Sequence, residues 1–96
     1  MLNHILTCHP ALPGHFPGNP VVPGVVIIDH VLEAAAVALP AWRVTGIRKL
    51  KFLRPLLPSQ LFSVELAEVK NGRVRFVCVH EQNSIAEGNL MVEAQV

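Results

Sequence analysis

The longest run of hydrophobic positions in the chain covers residues 25–39, VVIIDHVLEAAAVAL. The valines and isoleucines at its start would suit a strand. The leucine, glutamate and alanines at 32–36, together with a length of about 15 residues, favour a helix, which Pro40 ends. Because the segment is apolar on nearly every side, we predict that the helix is buried and that other elements wrap around it.

Alternating hydrophobic and polar positions mark much of the remaining chain as strands. Between residues 60 and 70, for example, Phe62, Val64 and Leu66 alternate with other residues in the period of two that is typical of a half-buried strand. The predicted strands are residues 3–8, 42–53, 60–70, 73–81 and 84–95.

Turn residues separate these strands. Asn71-Gly72 is a strong signal for a two-residue hairpin, residues 82–84 predict a second turn, and the segment 55–58 predicts a break. The order of one strand, a loop, a helix and four strands predicts a single α+β domain over residues 1–96, with an antiparallel sheet wrapped around one buried central helix.

A loop with a fixed path is expected before the helix. Residues 10–24 contain five of the eight prolines and three of the six glycines, so they form neither a regular helix nor a central strand. The loop presents His15 on a rigid platform, which suits a general base. It leads into the helix N terminus, where the amides of Gly24 and Val25 can receive a carbonyl oxygen.

Asp29 is the only aspartate of the chain, and it lies one turn into the apolar helix. A carboxylate buried there is costly unless it is paired. One interpretation is a structural group bonded to nearby amides or to His30. The other is an acid that works with His15, 14 residues earlier. A histidine on a rigid loop followed by a buried acid adds weight to this second interpretation, and both stay open at this point.

The composition constrains assembly and partners. Hydrophobic residues make up 51% of the 96 residues and charged residues 16%, which is more apolar material than a compact monomer easily buries, so a subunit interface or an apolar channel is expected. The net charge of +1 excludes a strongly basic nucleic-acid binder. No signal peptide or membrane span is evident, which predicts a cytoplasmic protein without a membrane partner. His4 and His9 would face opposite sides of a strand, so no metal site is expected.

The segment GHFPGNPVVPGVVIID resembles the active-site segment of bacterial 3-hydroxyacyl-acyl carrier protein dehydratases, which read G-H-F-x-G-x-P-x-x-P-G before a helix that bears an acid. Weaker similarity continues through GIRKLKFLRPLLPSQ and AEGNLMV, so nearly the whole chain is covered. The resemblance implies the hot-dog fold and dehydration of a 3-hydroxyacyl thioester in fatty-acid or polyene-type synthesis, without metal, flavin or nucleotide cofactor. It also implies a dimer with the site at the subunit interface and an acyl carrier protein as substrate carrier.

Site residues follow from the resemblance by position. His15 matches the base and Asp29 the acid, each from a different protomer. The amides of Gly24 and Val25 would hold the thioester carbonyl, and Phe16 and Val21 would line the site. An aspartate at the acid position resembles the branch that also isomerises the double bond.

Departures from the family pattern leave alternatives open. Glu33 stands where glutamine is common, and Ser59 and Gln60 replace the usual Gly-Asp of the bend. The short chain suggests a specialised pathway, such as polyene or pigment synthesis. Two alternatives remain: the chain is a hot-dog acyl thioesterase, or it is one subunit of a heterodimer with a related dehydratase.

Five of the eight basic residues fall within 12 positions. They form either a solvated strand face or a docking surface for an acidic carrier protein. If Arg48, Lys49, Lys51 and Arg54 alternate along a strand, they divide into pairs on opposite faces. The five residues are Arg43, Arg48, Lys49, Lys51 and Arg54.

Overall fold

The computed structural model describes residues 2–8, 21–57 and 60–95. Over these residues the chain forms one helix and five strands, which confirms the predicted α+β class and the predicted order. The helix begins one residue earlier than expected, and the third strand is shorter at both ends. The elements are β1 Leu2–Cys8, α1 Gly24–Ala38, β2 Trp42–Phe52, β3 Phe62–Ala67, β4 Arg73–His80 and β5 Asn83–Ala94.

The five strands form one antiparallel sheet in the order β1-β3-β4-β5-β2. Asn71 and Gly72 have φ angles of 53° and 71°, the geometry of a type I′ hairpin, as predicted. The next turn lies at Glu81 and Gln82, with φ angles of 47° and 69°. It is one residue earlier than expected, because two residues without a turn signature adopt the left-handed conformation there.

A bulge in β2 changes which side chains face outward. Lys49 has a φ angle of 57°, and the pairing with β5 shifts between Arg48 and Lys51. Arg48 lies opposite Asn89 and Lys51 opposite Glu87, and these two residues of β5 share the outer face of the sheet. Simple alternation along this strand is therefore the wrong expectation, because the extra residue places both cations on the same face.

The helix packs on the sheet through only one of its faces. Its opposite face is exposed in the single chain: Val25 is 67% exposed and Val37 72%, and Asp29 is exposed as well. The expectation of a helix buried on all sides, with a buried Asp29, is therefore wrong for one chain, because a single sheet layer covers only one side of a cylinder. The buried core of α1, β3, β4 and β5 includes Ile27, Val31, Ala34, Ala35, Phe62, Val64, Leu66, Val74, Phe76 and Leu90.

Candidate active site

Among the described residues, no side chain caps the N terminus of α1. The helix follows Pro23, which is extended (φ −60°, ψ 144°) and provides no side-chain cap. The amide of Val26 donates to the carbonyl of Pro23 at 3.0 Å. The amides of Gly24 and Val25 come before this first donor of the helix, so they point out along the helix axis at the positive end of its dipole. This is the polarity that a thioester carbonyl oxygen requires.

A cavity of about 370 Å³ adjoins this helix terminus. Two of the predicted site residues, Val21 and Gly24, come together in its wall. The ring of Phe52 packs directly on Gly24, since a Cβ atom at Gly24 would lie only 2.7 Å from the ring carbon Cζ. The cavity therefore reaches the first residue of the helix. Its lining is Val21, Val22, Gly24, Ile27, Phe52, Leu53, Arg54, Pro55 and Leu56.

Residues 53–57 form a bend that is the far wall of the cavity, and hydrogen bonds hold this bend in place. The amide of Val22 donates to the carbonyl of Leu56 at 2.7 Å, and the amide of Leu53 donates to Ile85 of β5 at 2.8 Å. The side-chain oxygen of Gln60 accepts from the amide of Leu57 at 2.9 Å. Gln60 thus has a structural role at the position where the family has aspartate, and this departure does not undo the bend.

Asp29 and Val25 lie on the other side of the helix from the cavity. They are exposed, and their spacing of four residues places them one turn apart on one face. His30 does not provide the structural partner considered for Asp29. Its Nδ1 lies 3.8 Å from the carboxylate of Glu33, and its ring meets Phe62 edge-on at 5.5 Å between centroids.

The predicted site is thus described only in part. Val21 and Gly24 line the cavity, whereas Val25 and Asp29 occupy the exposed helix face. His15 and Phe16 lie outside the described residues, so their relation to Asp29 stays a prediction.

Sequence reasoning missed Phe52 and Arg54 as cavity residues. Strict alternation along β2 would place Phe52 on the outer face of the sheet. The bulge at Lys49 instead places it on the helix side, opposite the buried Ala86, where its side chain is still 51% exposed. The segment KFLRP, already part of the family resemblance, was the available signal for both residues.

Within residues 2–8, 21–57 and 60–95, no group of three or more histidine, cysteine or acidic side chains is placed to hold a metal ion. In the same part of the chain, no helix is long and apolar enough to cross a membrane.

Known proteins resemble this chain in both sequence and fold. A family model described as the ApeI dehydratase (ApeI-like) matches residues 3–89. The 3-hydroxyacyl-[acyl-carrier-protein] dehydratase FabZ of Thermomicrobium roseum is 33% identical over 104 aligned residues, which cover 99% of this chain and 68% of that protein. The bifunctional enzyme LpxC/FabZ of Chlorobaculum tepidum is 30% identical, again over 99% of this chain but only 22% of its own length.

A solved structure agrees with these matches. The dehydratase heterocomplex ApeI:P from Xenorhabdus doucetiae superposes with a TM-score of 0.78 at 28% identity, covering 95% of this chain and 86% of that chain. The hot-dog fold expected from the sequence is therefore confirmed. The chain belongs to the ApeI-like dehydratase family, within the bacterial 3-hydroxyacyl-acyl carrier protein dehydratases.

Proposed function

We propose that this chain dehydrates a 3-hydroxyacyl thioester, carried by an acyl carrier protein, to the trans-2-enoyl thioester in fatty-acid or polyene-type synthesis. The observation that carries the proposal is the placement of Asp29 one turn after the N terminus of α1, which has no side-chain cap from Pro23, on the same face as Val25. Four residues of helix rise by about 6 Å. A thioester carbonyl at the Gly24 and Val25 amides would therefore bring its 3-hydroxyl group within reach of Asp29.

The chemistry assigns a role to each residue. His15 removes the C2 proton, and the electron pair forms the C2–C3 double bond as the C3–O bond breaks. Asp29, directly or through a water molecule, delivers a proton to the departing hydroxyl group, which leaves as water. The amides of Gly24 and Val25 stabilise the charge on the carbonyl oxygen, and one such donor is worth about 3 kcal/mol in other enzymes. Phe16 and Val21 line the site.

The exposed helix face supports a dimer with the site at its interface. Val25 and Leu32 leave apolar surface uncovered beside Asp29, and β2 is an outermost strand of 11 residues in the described sheet. A second chain that pairs with β2 and covers this helix face would bury both features. The second chain is another copy or a related dehydratase subunit. The second option is supported by the similar solved structure from Xenorhabdus doucetiae, which is a dehydratase heterocomplex.

A direct assay separates this function from the alternatives. The purified full chain is given 3-hydroxyacyl thioesters of graded length, and both enoyl absorbance and free thiol are followed. Dehydration predicts enoyl formation without thiol release. Thiol release without enoyl formation would identify a thioesterase. Activity that appears only after a related subunit is added would identify one half of a heteromeric dehydratase.

The outer face of the sheet supports the carrier as partner. Arg48 and Lys51 lie on it together because of the bulge in β2. Two other cations on this face are already paired, Arg43 with Glu93 and Arg75 with Glu87, and Arg73 lies at the far end of the sheet, opposite Met91. Arg48 and Lys51 are therefore the pair of the basic cluster best placed to meet an acidic carrier protein.

A further inference from the structure

A separate cavity of about 440 Å³ lies beside the hairpin that joins β3 and β4. Three cations line it, Lys70, Arg73 and Arg75. Arg75 lies opposite Asn89, so the cavity opens on the outer face of the sheet. Asn71 and Asn89 also belong to its lining, and each has an amide group that can donate hydrogen bonds. The cavity is therefore rich in groups that favour an anion.

Lys70 and Arg73 face each other directly across the hairpin. The amide of Lys70 donates to the carbonyl of Arg73 at 2.9 Å, and the amide of Arg73 donates to the carbonyl of Lys70 at 3.0 Å. Two residues that exchange both hydrogen bonds project their side chains from the same face. Like charges placed directly opposite each other lower the stability of a sheet. An anion bound between the two side chains would remove that cost.

The acids of this region leave two of the three cations unpaired. Arg75 pairs with Glu87 at 3.3 Å. Over the residues that the structure describes, no carboxylate lies within ion-pair distance of Lys70 or Arg73. Glu68 belongs to the cavity lining, but its carboxylate lies beyond that distance as well. Two unpaired cations suit a ligand that carries two negative charges.

The backbone holds the cavity in place before any ligand binds. Asn71 and Gly72 form the type I′ turn between the two strands, and the amide of Val92 in β5 donates to the carbonyl of Gly72 at 2.9 Å. A hairpin fixed at its tip and at its neighbouring strand reduces the ordering cost of binding. The planar guanidinium of Arg73 can contact two oxygen atoms of a phosphate group, and Lys70 adds a compact charge beside it.

We infer that this cavity binds a phosphate group, which a small phosphorylated metabolite or free phosphate supplies, with Lys70 and Arg73 contacting its oxygens. A phosphate monoester carries about −1.5 to −2 charges at pH 7, which matches the two unpaired cations. Arg73 lies opposite Met91, five residues along β5 from Ala86, the partner of Phe52. This separation is about 17 Å, so the site is distinct from the proposed dehydration site.

The test is an NMR titration of the isotopically labelled full chain with glycerol 3-phosphate and with inorganic phosphate, at constant ionic strength. Both probes should shift the Gly72 amide and the Asn89 side-chain amide saturably, with a Kd of about 1 mM for two charge-assisted contacts. Tighter binding of glycerol 3-phosphate identifies a phosphorylated metabolite as the ligand, and equal binding identifies free phosphate. Lys70→Gln and Arg73→Gln should each weaken binding about tenfold, and Glu68→Gln should strengthen it.

Arg43→Gln is the matched control, because it removes the same charge from the same face. Arg43 pairs with Glu93 of β5, two residues beyond Met91 and two strands away from Arg73, a distance of about 12 Å. The Kd should change by less than about twofold, because salt screens exposed charges over this distance. An equal loss of affinity in Arg43→Gln and Arg73→Gln would show a general effect of net charge and would overturn the inference.

Two further outcomes would also overturn it. Shifts that grow linearly with phosphate and spread over every cation of the outer face would show screening without a site. Malonate binding as tightly as phosphate would show that the cavity selects any anion with two charges. Urea unfolding gives an independent measurement: phosphate should raise the midpoint of the wild-type chain above its value in chloride of equal ionic strength, and should leave that of Lys70→Gln nearly unchanged. An equal rise in both proteins contradicts the proposed contact.

Discussion

A lysine at Ala36 should dissociate the proposed dimer without unfolding the chain. Ala36 lies in the last turn of α1 and, with Leu32, Trp42 and Val44, lines a depression of about 300 Å³ between the helix and the outermost strand β2. This turn carries no basic residue. A cation near a helix C terminus is favourable, so the substitution should not weaken the helix itself.

The size of the effect follows from the exposed apolar surface. Complete burial of an exposed valine or leucine stabilises by roughly 1.5–3 kcal/mol. Val25 is 67% exposed and Leu32 36%, so covering both contributes about 1.5–3 kcal/mol per protomer, and about twice that in a two-fold dimer. Two buried ammonium groups would each cost several kcal/mol. The dissociation constant should therefore rise at least a hundredfold, about 2.7 kcal/mol.

Val37→Lys is the matched control. It places the same charge in the same helical turn, but about 100° around the helix from Ala36 and away from β2. Sedimentation velocity over a concentration series should show monomer for Ala36→Lys and dimer for Val37→Lys. At one and the same protein concentration, both variants should unfold thermally near the wild-type temperature. If Ala36→Lys remains as dimeric as wild type, the exposed helix face is not the interface and the reasoning fails.

Three further experiments test separate parts of the structure. Gly88→Ala should lower the free energy of unfolding, measured by urea titration, by about 1–3 kcal/mol, because the new Cβ would lie 2.9 Å from the buried ring of Phe76. Gly46→Ala is the control and should be close to neutral, because a Cβ there would lie 3.9 Å from its nearest neighbour, Met91. Gln60→Ala should cost about 1 kcal/mol in the same assay, since the amide it accepts from loses that partner; no loss would dismiss its role in the bend. Replacing both Arg48 and Lys51 by glutamine should raise KM for carrier-protein-bound substrate, and the rise should be larger at low salt. KM for N-acetylcysteamine substrates should stay unchanged. An equal rise in KM for both substrates would argue for a role in the fold.

The elements of this fold could be predicted because their signals are local. The helix of residues 25–39 and its end at Pro40 follow from composition, and the hairpin at Asn71-Gly72 follows from two residues that tolerate positive φ. The turn at Glu81 and Gln82 was placed one residue late, since neither residue type indicates a left-handed conformation. Strand boundaries near Gln60 also shifted, because its side chain bonds within the bend and not in the sheet.

The candidate site was harder to predict for two physical reasons. A lysine at the bulge position carries no sequence signature, yet Lys49 reverses the faces of Lys51 and Phe52 and brings Phe52 to the cavity. The exposure of Asp29 depends on what covers the outer helix face. An apolar helix is equally compatible with burial by its own sheet and with burial by a second chain, so the sequence pattern alone could not distinguish the two.

The most direct test of the account is complementation between two inactive variants. His15→Ala and Asp29→Asn should each lower dehydration by orders of magnitude while the chain stays folded and dimeric. If the two residues meet across the interface, each mixed dimer regains one intact site. A fully exchanged equimolar mixture should then recover about a quarter of the wild-type rate. No recovery, with exchange verified by differently tagged subunits, would place both residues in one protomer, and near-wild-type rates in either single variant would contradict the catalytic pair itself.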